Sequence, residues 1–161
     1  MKRFFVFAAV FALSLATSGL LLAQRDTYVG TWKLNIAKST YGTAQPPRSE
    51  TRTITAQGDG AKISFEGVGA DGNPIAYSYT TNYDGKDSPV SGVGHPKGAD
   101  MIAVKRVDAN TTTQTDKRAG KVVGTNRSVI SNDGKVMTIT TIGGLDVNGQ
   151  PRNTVTVWDK Q

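Results

Sequence analysis

From residue 28 onward, apolar and polar side chains alternate with a period of two. Tyr28, Gly30, Trp32, Leu34 and Ile36 fall on one face of an extended segment, and Val29, Thr31, Lys33 and Asn35 on the other, the pattern of a strand with one buried side. Ile63 and Phe65 oppose Lys62, Ser64 and Glu66 in the same way, and Ile75, Tyr77, Tyr79, Thr81 and Tyr83 oppose Ala76, Ser78, Thr80 and Asn82. Segments 101–107, 121–131, 136–142 and 153–158 are rich in β-branched residues but alternate less cleanly, so their faces stay unassigned. Between these runs stand Gly58-Asp59-Gly60, Asp71-Gly72-Asn73, Asp84-Gly85, Asp133-Gly134 and Asn148-Gly149, with softer breaks at Asp108-Ala109-Asn110 and Ala119-Gly120. Asp-Gly and Asn-Gly tolerate the positive φ of tight hairpins, so the chain reads as an up-and-down antiparallel meander of about eight to ten strands. No window carries a helical period. Stretch 37–48, with Gly42 and Pro46-Pro47, and stretch 91–100, with Gly92, Gly94, Pro96 and Gly98, read as loops. A long meander must hide its edges, and closing into a barrel does so more economically than a two-sheet sandwich.

The start of the chain is different. Lys2 and Arg3 precede an apolar stretch from Phe4 to Leu15, followed by small and apolar residues up to Ala23, the layout of a cleaved export signal. Thr17, Ser18 and Gly19 interrupt the apolar run short of the roughly 20 residues that a membrane-spanning helix needs. The expectation is a signal at 1–23, a mature chain starting at Gln24, one domain over 24–161 and a periplasmic or extracellular location. There is no cysteine, which excludes disulfides, thiol chemistry and lipid attachment through cysteine.

Removing the signal takes two of the nineteen basic residues and none of the thirteen acidic ones, lowering the formal charge from +6 to +4. Neither Lys105-Arg106 nor Lys117-Arg118 is interleaved with aromatics that would stack on bases, so no nucleic-acid partner is expected. What remains holds 13 Val, 8 Ile and 19 Thr against 2 Leu, with Phe65 the only phenylalanine. Those side chains suit a pleated surface; the class is all-β, with a thin core.

Gly30-Thr31-Trp32-Lys33-Leu34, on the first strand of the mature chain, resembles the Gly-x-Trp opening of the calycins, the lipocalins and fatty-acid-binding proteins. The resemblance implies that Trp32 closes one end of an antiparallel barrel whose interior holds a small apolar ligand. Two features depart from the family pattern. Stretch 37–48 leaves no room for the helical lid of fatty-acid-binding proteins, and Arg152 is followed two residues on by Thr154 rather than by tyrosine, so no headgroup site is carried over. Thr81-Asn82-Tyr83-Asp84 matches a second lipocalin motif with one mismatch, too short a match to add weight.

Candidate chemistry is sparse. The single histidine, His95, lies in a glycine-rich loop where it is expected to be exposed and to titrate near neutrality, and one imidazole makes neither a triad nor a metal site. Glu50 and Glu66 are the only glutamates, and most aspartates fall in turns whose backbone hydrogen bonding explains them. Asp84-Gly85-Lys86-Asp87 lacks the alternating carboxylates and final glutamate of a calcium loop. Lys62, Lys105, Lys117 and Arg127 inside strands argue against an outer-membrane barrel. No catalytic residue, metal or cofactor is expected. The ligand-binding set is Trp32, Phe65, Tyr77, Tyr79 and Tyr83, whose aromatic faces and polar tips would line a cavity for a small apolar or amphipathic molecule. The alternative is a filled barrel that meets a protein partner through loops 37–48 and 91–100.

Overall fold

The computed structural model describes residues 26–146 and 149–161; the expected export signal lies outside them. Eleven strands form one antiparallel sheet: β1 (Gly30–Thr40), β2 (Ser49–Gln57), β3 (Gly60–Val68), β4 (Pro74–Thr81), β5 (Asp84–Pro89), β6 (Ser91–Val93), β7 (Met101–Asp108), β8 (Thr111–Arg118), β9 (Lys121–Ile130), β10 (Val136–Ile142) and β11 (Thr154–Lys160). Their order is β5-β7-β8-β9-β10-β11-β1-β2-β3-β4-β6. The two outermost members, β5 and β6, are neighbours in the chain, separated only by Val90. One extended run therefore pairs with β7 through Asp84–Pro89 and with β4 through Ser91–Val93, which closes the sheet into a nearly complete barrel. Among the described residues no helix is long and apolar enough to cross a membrane.

Three details of the sequence reading are corrected. Residues 37–40 continue β1 instead of starting a loop, because a register shift between Asn35 and Thr40 lets the strand resume pairing with β11. Ser39 Oγ fixes that irregularity, donating to the Asn35 carbonyl at 2.7 Å and accepting the Val157 N–H at 2.9 Å. The shift also breaks the inward row, and Ile36 is exposed. Residues 91–93 form β6, so the second loop begins at Gly94. The expected Asp84-Gly85 turn sits two residues earlier, at Asn82-Tyr83, where Tyr83 takes a φ of 57°; Asp84 and Gly85 open the irregular first half of β5.

The end of the barrel formed around Tyr28 is closed. Trp32 is fully buried, and its Nε1 donates to the Tyr28 carbonyl at 2.9 Å. The Tyr28 hydroxyl lies 2.9 Å from the Ser128 carbonyl and 3.0 Å from that of Asn110, tying the N-terminal segment across to β9 and the β7–β8 turn. Lys160 Nζ sits 4.9 Å from the centre of the Trp32 ring and donates to the Thr27 carbonyl. The lysine stem crosses Gly30, whose φ of 140° is the physical need for glycine two residues before the tryptophan. Ile54, Ile63, Tyr79, Ile130 and Met137 complete the buried apolar layer of the core.

Replacing Trp32 with alanine removes the centre of this seal and is expected to cost about 3–5 kcal/mol, read as a lower urea midpoint at unchanged slope. A loss below about 1 kcal/mol would mean that the closed end does not depend on the indole.

Candidate functional site

Away from the seal, the interior changes character. The inward positions of β8 are Thr112, Gln114 and Asp116, those of β9 are Asn126 and Ser128, and those of β11 are Thr154, Thr156 and Trp158. On β2 the buried row runs Glu50, Arg52, Ile54, from the open mouth to the closed end. The strands thus keep their period of two but place polar side chains on the inner face, the opposite of the usual half-buried strand.

All of these residues except Thr112 and Ile54 line an internal cavity of about 100 Å³. Leu34, Phe65, Ile139 and Trp158 give it an apolar wall, with Phe65 stacked on Tyr77 at 4.4 Å and edge-on to Trp158 at 6.4 Å. The charged and amide groups are interleaved with this wall: Arg52 on β2 pairs with Phe65 on β3. The cavity shares Pro47, Glu50, His95, Pro96 and Arg152 with an outer recess of about 540 Å³ at the barrel mouth.

The residues at 94–100 fold into this mouth. His95 packs on Tyr77 with ring centres 4.8 Å apart, and its Nδ1 accepts the N–H groups of Lys97 at 3.2 Å and Ala99 at 3.3 Å. That leaves the imidazole proton on Nε2. Lys97 then runs inward to a buried ion pair with Asp116, and donates to Asn126 Oδ1 at 3.0 Å. Asp116 is fully buried yet well served: Gln114 Nε2 donates to it at 2.6 Å and Asn126 Nδ2 at 3.1 Å. Tyr79 OH completes the chain by bonding Gln114 Oε1 at 3.0 Å, and Thr141 Oγ1 meets Asn126 Oδ1 at 2.8 Å. Gly124 makes room for the lysine, since a Cβ there would stand 3.1 Å from Lys97 Cδ and Cε.

Two titrating groups are displaced by this setting. Burial pushes the Glu50 carboxyl up to about 7, against the opposing pull of Arg152 and Arg52. Burial also pushes His95 down to about 4, against Asp116, with Lys97 and Arg152 adding to the shift. The histidine expected to be exposed and neutral-titrating is instead half-buried and uncharged at neutral pH, because its loop folds inward over Tyr77. Tyr77 is raised well above 10 by burial and next by Glu50, and burial raises Tyr79 to about 12.

Of the five aromatic residues singled out from the sequence, Phe65 and Tyr77 line the cavity. Trp32 is in the sealed end, Tyr79 lies one layer below the cavity, and Tyr83 is in the β4–β5 turn, where Arg106 covers its ring at 4.1 Å. Sequence reasoning missed Glu50, Arg52, Lys97, Asp116 and Arg152. The available signal was the pairing of Glu50 and Arg52 with Ile54 on one strand face, and Asp116 lying outside any turn motif.

Fold and site together define an antiparallel β-barrel, sealed at one end, with a small polar-and-aromatic cavity beneath a folded-in loop. No protein-family model and no curated protein matches the chain. Among solved structures it is similar to a redesigned β-barrel, mFAP1, bound to DFHBI, at 11% sequence identity over 83% of this chain and 95% of that one, with a TM-score of 0.40. At that level the likeness carries no argument, and the barrel rests on its own strand pairing. Among the described residues no group of three or more His, Asp and Glu side chains is placed to hold a metal ion.

The buried pair generates a first prediction. Asp116→Leu leaves Lys97 charged and unmatched, and should cost about 3–5 kcal/mol, whereas Lys97→Met with Asp116→Leu should recover most of that loss; urea denaturation of both variants checks it. A second concerns pH. Because the folded-state pKa of Glu50 is raised to about 7, its contribution is complete below about 4.5 and is lost as pH rises toward 7, a change of roughly 3 kcal/mol. His95 works in the opposite sense, losing stability as pH falls from about 6.5 to about 4. Glu50→Gln should therefore be more stable than the parent at about pH 8 and no more stable at about pH 4. Equal differences at both would show that Glu50 titrates normally.

Proposed function

We propose that this protein is a non-enzymatic binding barrel of calycin type, exported after loss of residues 1–23, that holds a small amphipathic molecule in the cavity between Phe65, Tyr77 and Trp158. The observation that carries the reading is the mixed lining: aromatic and aliphatic carbon from Leu34, Phe65, Ile139 and Trp158 stands beside arginine, carboxylate and amide groups. At about 100 Å³ the cavity is smaller than the roughly 150 Å³ that holds benzene, so it takes a short chain or part of a ring and not a long acyl tail. Further ligand bulk would project into the recess at the mouth. The position of Trp32 under Lys160 supports the calycin resemblance, since that residue seals one end as the motif implies.

Binding through the loops is the less favoured reading. His95 and Lys97 from the second loop point into the barrel, so the loop closes the mouth more than it presents a surface.

Native mass spectrometry of the mature protein, purified from a cell that exports it and followed by solvent extraction, tests the proposal. A stoichiometric small molecule is the expected result. A clean apo mass, together with no response to the neutral amphipathic dye N-phenyl-1-naphthylamine, would remove the binding function.

A further inference from the structure

The charges inside the barrel do not balance. Lys97 and Asp116 neutralise each other within their hydrogen-bonded set. That leaves Arg52 and Arg152 with Glu50 as the one other carboxylate among the described residues lining the same cavity. Arg52 is only 6% exposed. Its Nε is buried and has no hydrogen-bond partner among the described residues, while Nη1 reaches only the soft Met137 Sδ at 3.5 Å. Its guanidinium carbon lies 5.3 Å from the centre of the Phe65 ring, so the group faces the aromatic wall. Both arginines act on Glu50 through space and not through a hydrogen bond.

A buried guanidinium without an acceptor is costly, and replacing such a charge with a well-packed apolar side chain is often neutral or stabilising. A planar fork of N–H donors beside a flat apolar wall matches one ligand chemistry well: a carboxylate, which takes two parallel N–H bonds, carried on a ring or short chain. We propose that Arg52 and Arg152 bind the carboxylate of a small organic acid inside the barrel, with its carbon body against Phe65, Tyr77 and Trp158. This deepens the binding-barrel reading and rests on it.

Glu50 is then the internal competitor for the same guanidiniums. When it is protonated the arginines are free for the ligand; when it ionises it repels the bound anion and draws on the same donors. The groups around it are Arg52 on its own strand, Arg152 before β11, Tyr41 before β2, Tyr77 on β4, His95 and Lys97 before β7, Asp116 on β8 and, in the recess it also lines, Asp71 and Asp146. His95 has already lost its proton by about pH 4, and burial keeps Tyr41 and Tyr77 protonated past their ordinary range. Affinity for a carboxylate should accordingly fall between about pH 6 and about pH 8, a range in which simple carboxylic acids stay ionised.

The test is isothermal titration calorimetry with three acid and amide pairs: acetate and acetamide, benzoate and benzamide, hexanoate and hexanamide. At least one acid should bind about tenfold more tightly than its amide at about pH 6. Its affinity should drop several-fold at about pH 8 in the parent protein, and stay level in Glu50→Gln. Arg152→Gln, on the half-buried approach to β11, should abolish the preference for acid over amide without unfolding the barrel. Arg52→Met should do the same with a melting temperature equal to or above the parent's, a readout that a purely structural arginine would move downward. Amides binding as tightly as acids would overturn the carboxylate site and leave the binding barrel standing. No binding of any pair at millimolar concentration, with dye binding retained, would likewise remove the carboxylate alone; loss of both would remove the binding function too.

Discussion

The run from Asp84 to Val93 gives its first half to β7 and its second half to β4, and the rest of the molecule depends on that exchange. An open sheet of this length would present two rows of unpaired backbone groups, and this chain has no cysteine to staple them. With few leucines and phenylalanines in the described residues, the buried apolar core is built mainly from isoleucine, valine and aromatic side chains around the Trp32 seal and the layer of Ile54, Ile63, Ile130 and Met137. Continuous antiparallel pairing around the barrel therefore carries much of the cohesion. It also creates an enclosed space in which the remaining inward positions need not be apolar, provided that each polar group finds a partner.

That proviso is met unevenly, and the unevenness is informative. Asp116 is among the most deeply buried charges in the described structure and among the best satisfied, with Lys97, Gln114 and Asn126 all donating to it. Such a set fixes the folded-in loop at 94–100 without demanding anything from outside. Arg52, two residues from Glu50 on the neighbouring wall, is buried with its Nε unmatched. One half of the interior is thus internally complete, while the other contains two cations and a carboxylate whose proton is held to about pH 7. The complete half positions the mouth; the incomplete half is where a ligand's own charge would be balanced.

How much of this could be read from the sequence follows from the same division. Strands whose inner face is apolar, β3 with Ile63 and Phe65 and β4 with Ile75, Tyr77 and Tyr79, announced themselves by alternation, and those side chains are buried. The Asp-Gly and Asn-Gly breaks located most hairpins, because the turn needs a positive φ there; Gly72 and Gly134 supply it. The face of β8, by contrast, was invisible, since Thr112, Gln114 and Asp116 look like a solvated row until the barrel is closed around them. His95 was misjudged for a related reason: glycine and proline mark a loop, but they do not say whether it turns outward or into the barrel. Of the five aromatic residues named, Phe65 and Tyr77 line the cavity, while Trp32 seals the closed end, Tyr79 bonds Gln114 and Tyr83 stacks on Arg106, a division that strand alternation does not reveal.

The central claim is that the barrel holds a buried, charged site, and the most direct measurement is the ¹³C NMR titration of the Glu50 side-chain carboxyl in the ligand-free protein. The account predicts a midpoint near 7, displaced upward by burial. A midpoint near 4, the ordinary value of an exposed glutamate, would mean that Glu50 is solvated or directly paired with an arginine, and the buried, unpaired carboxyl described here would not exist.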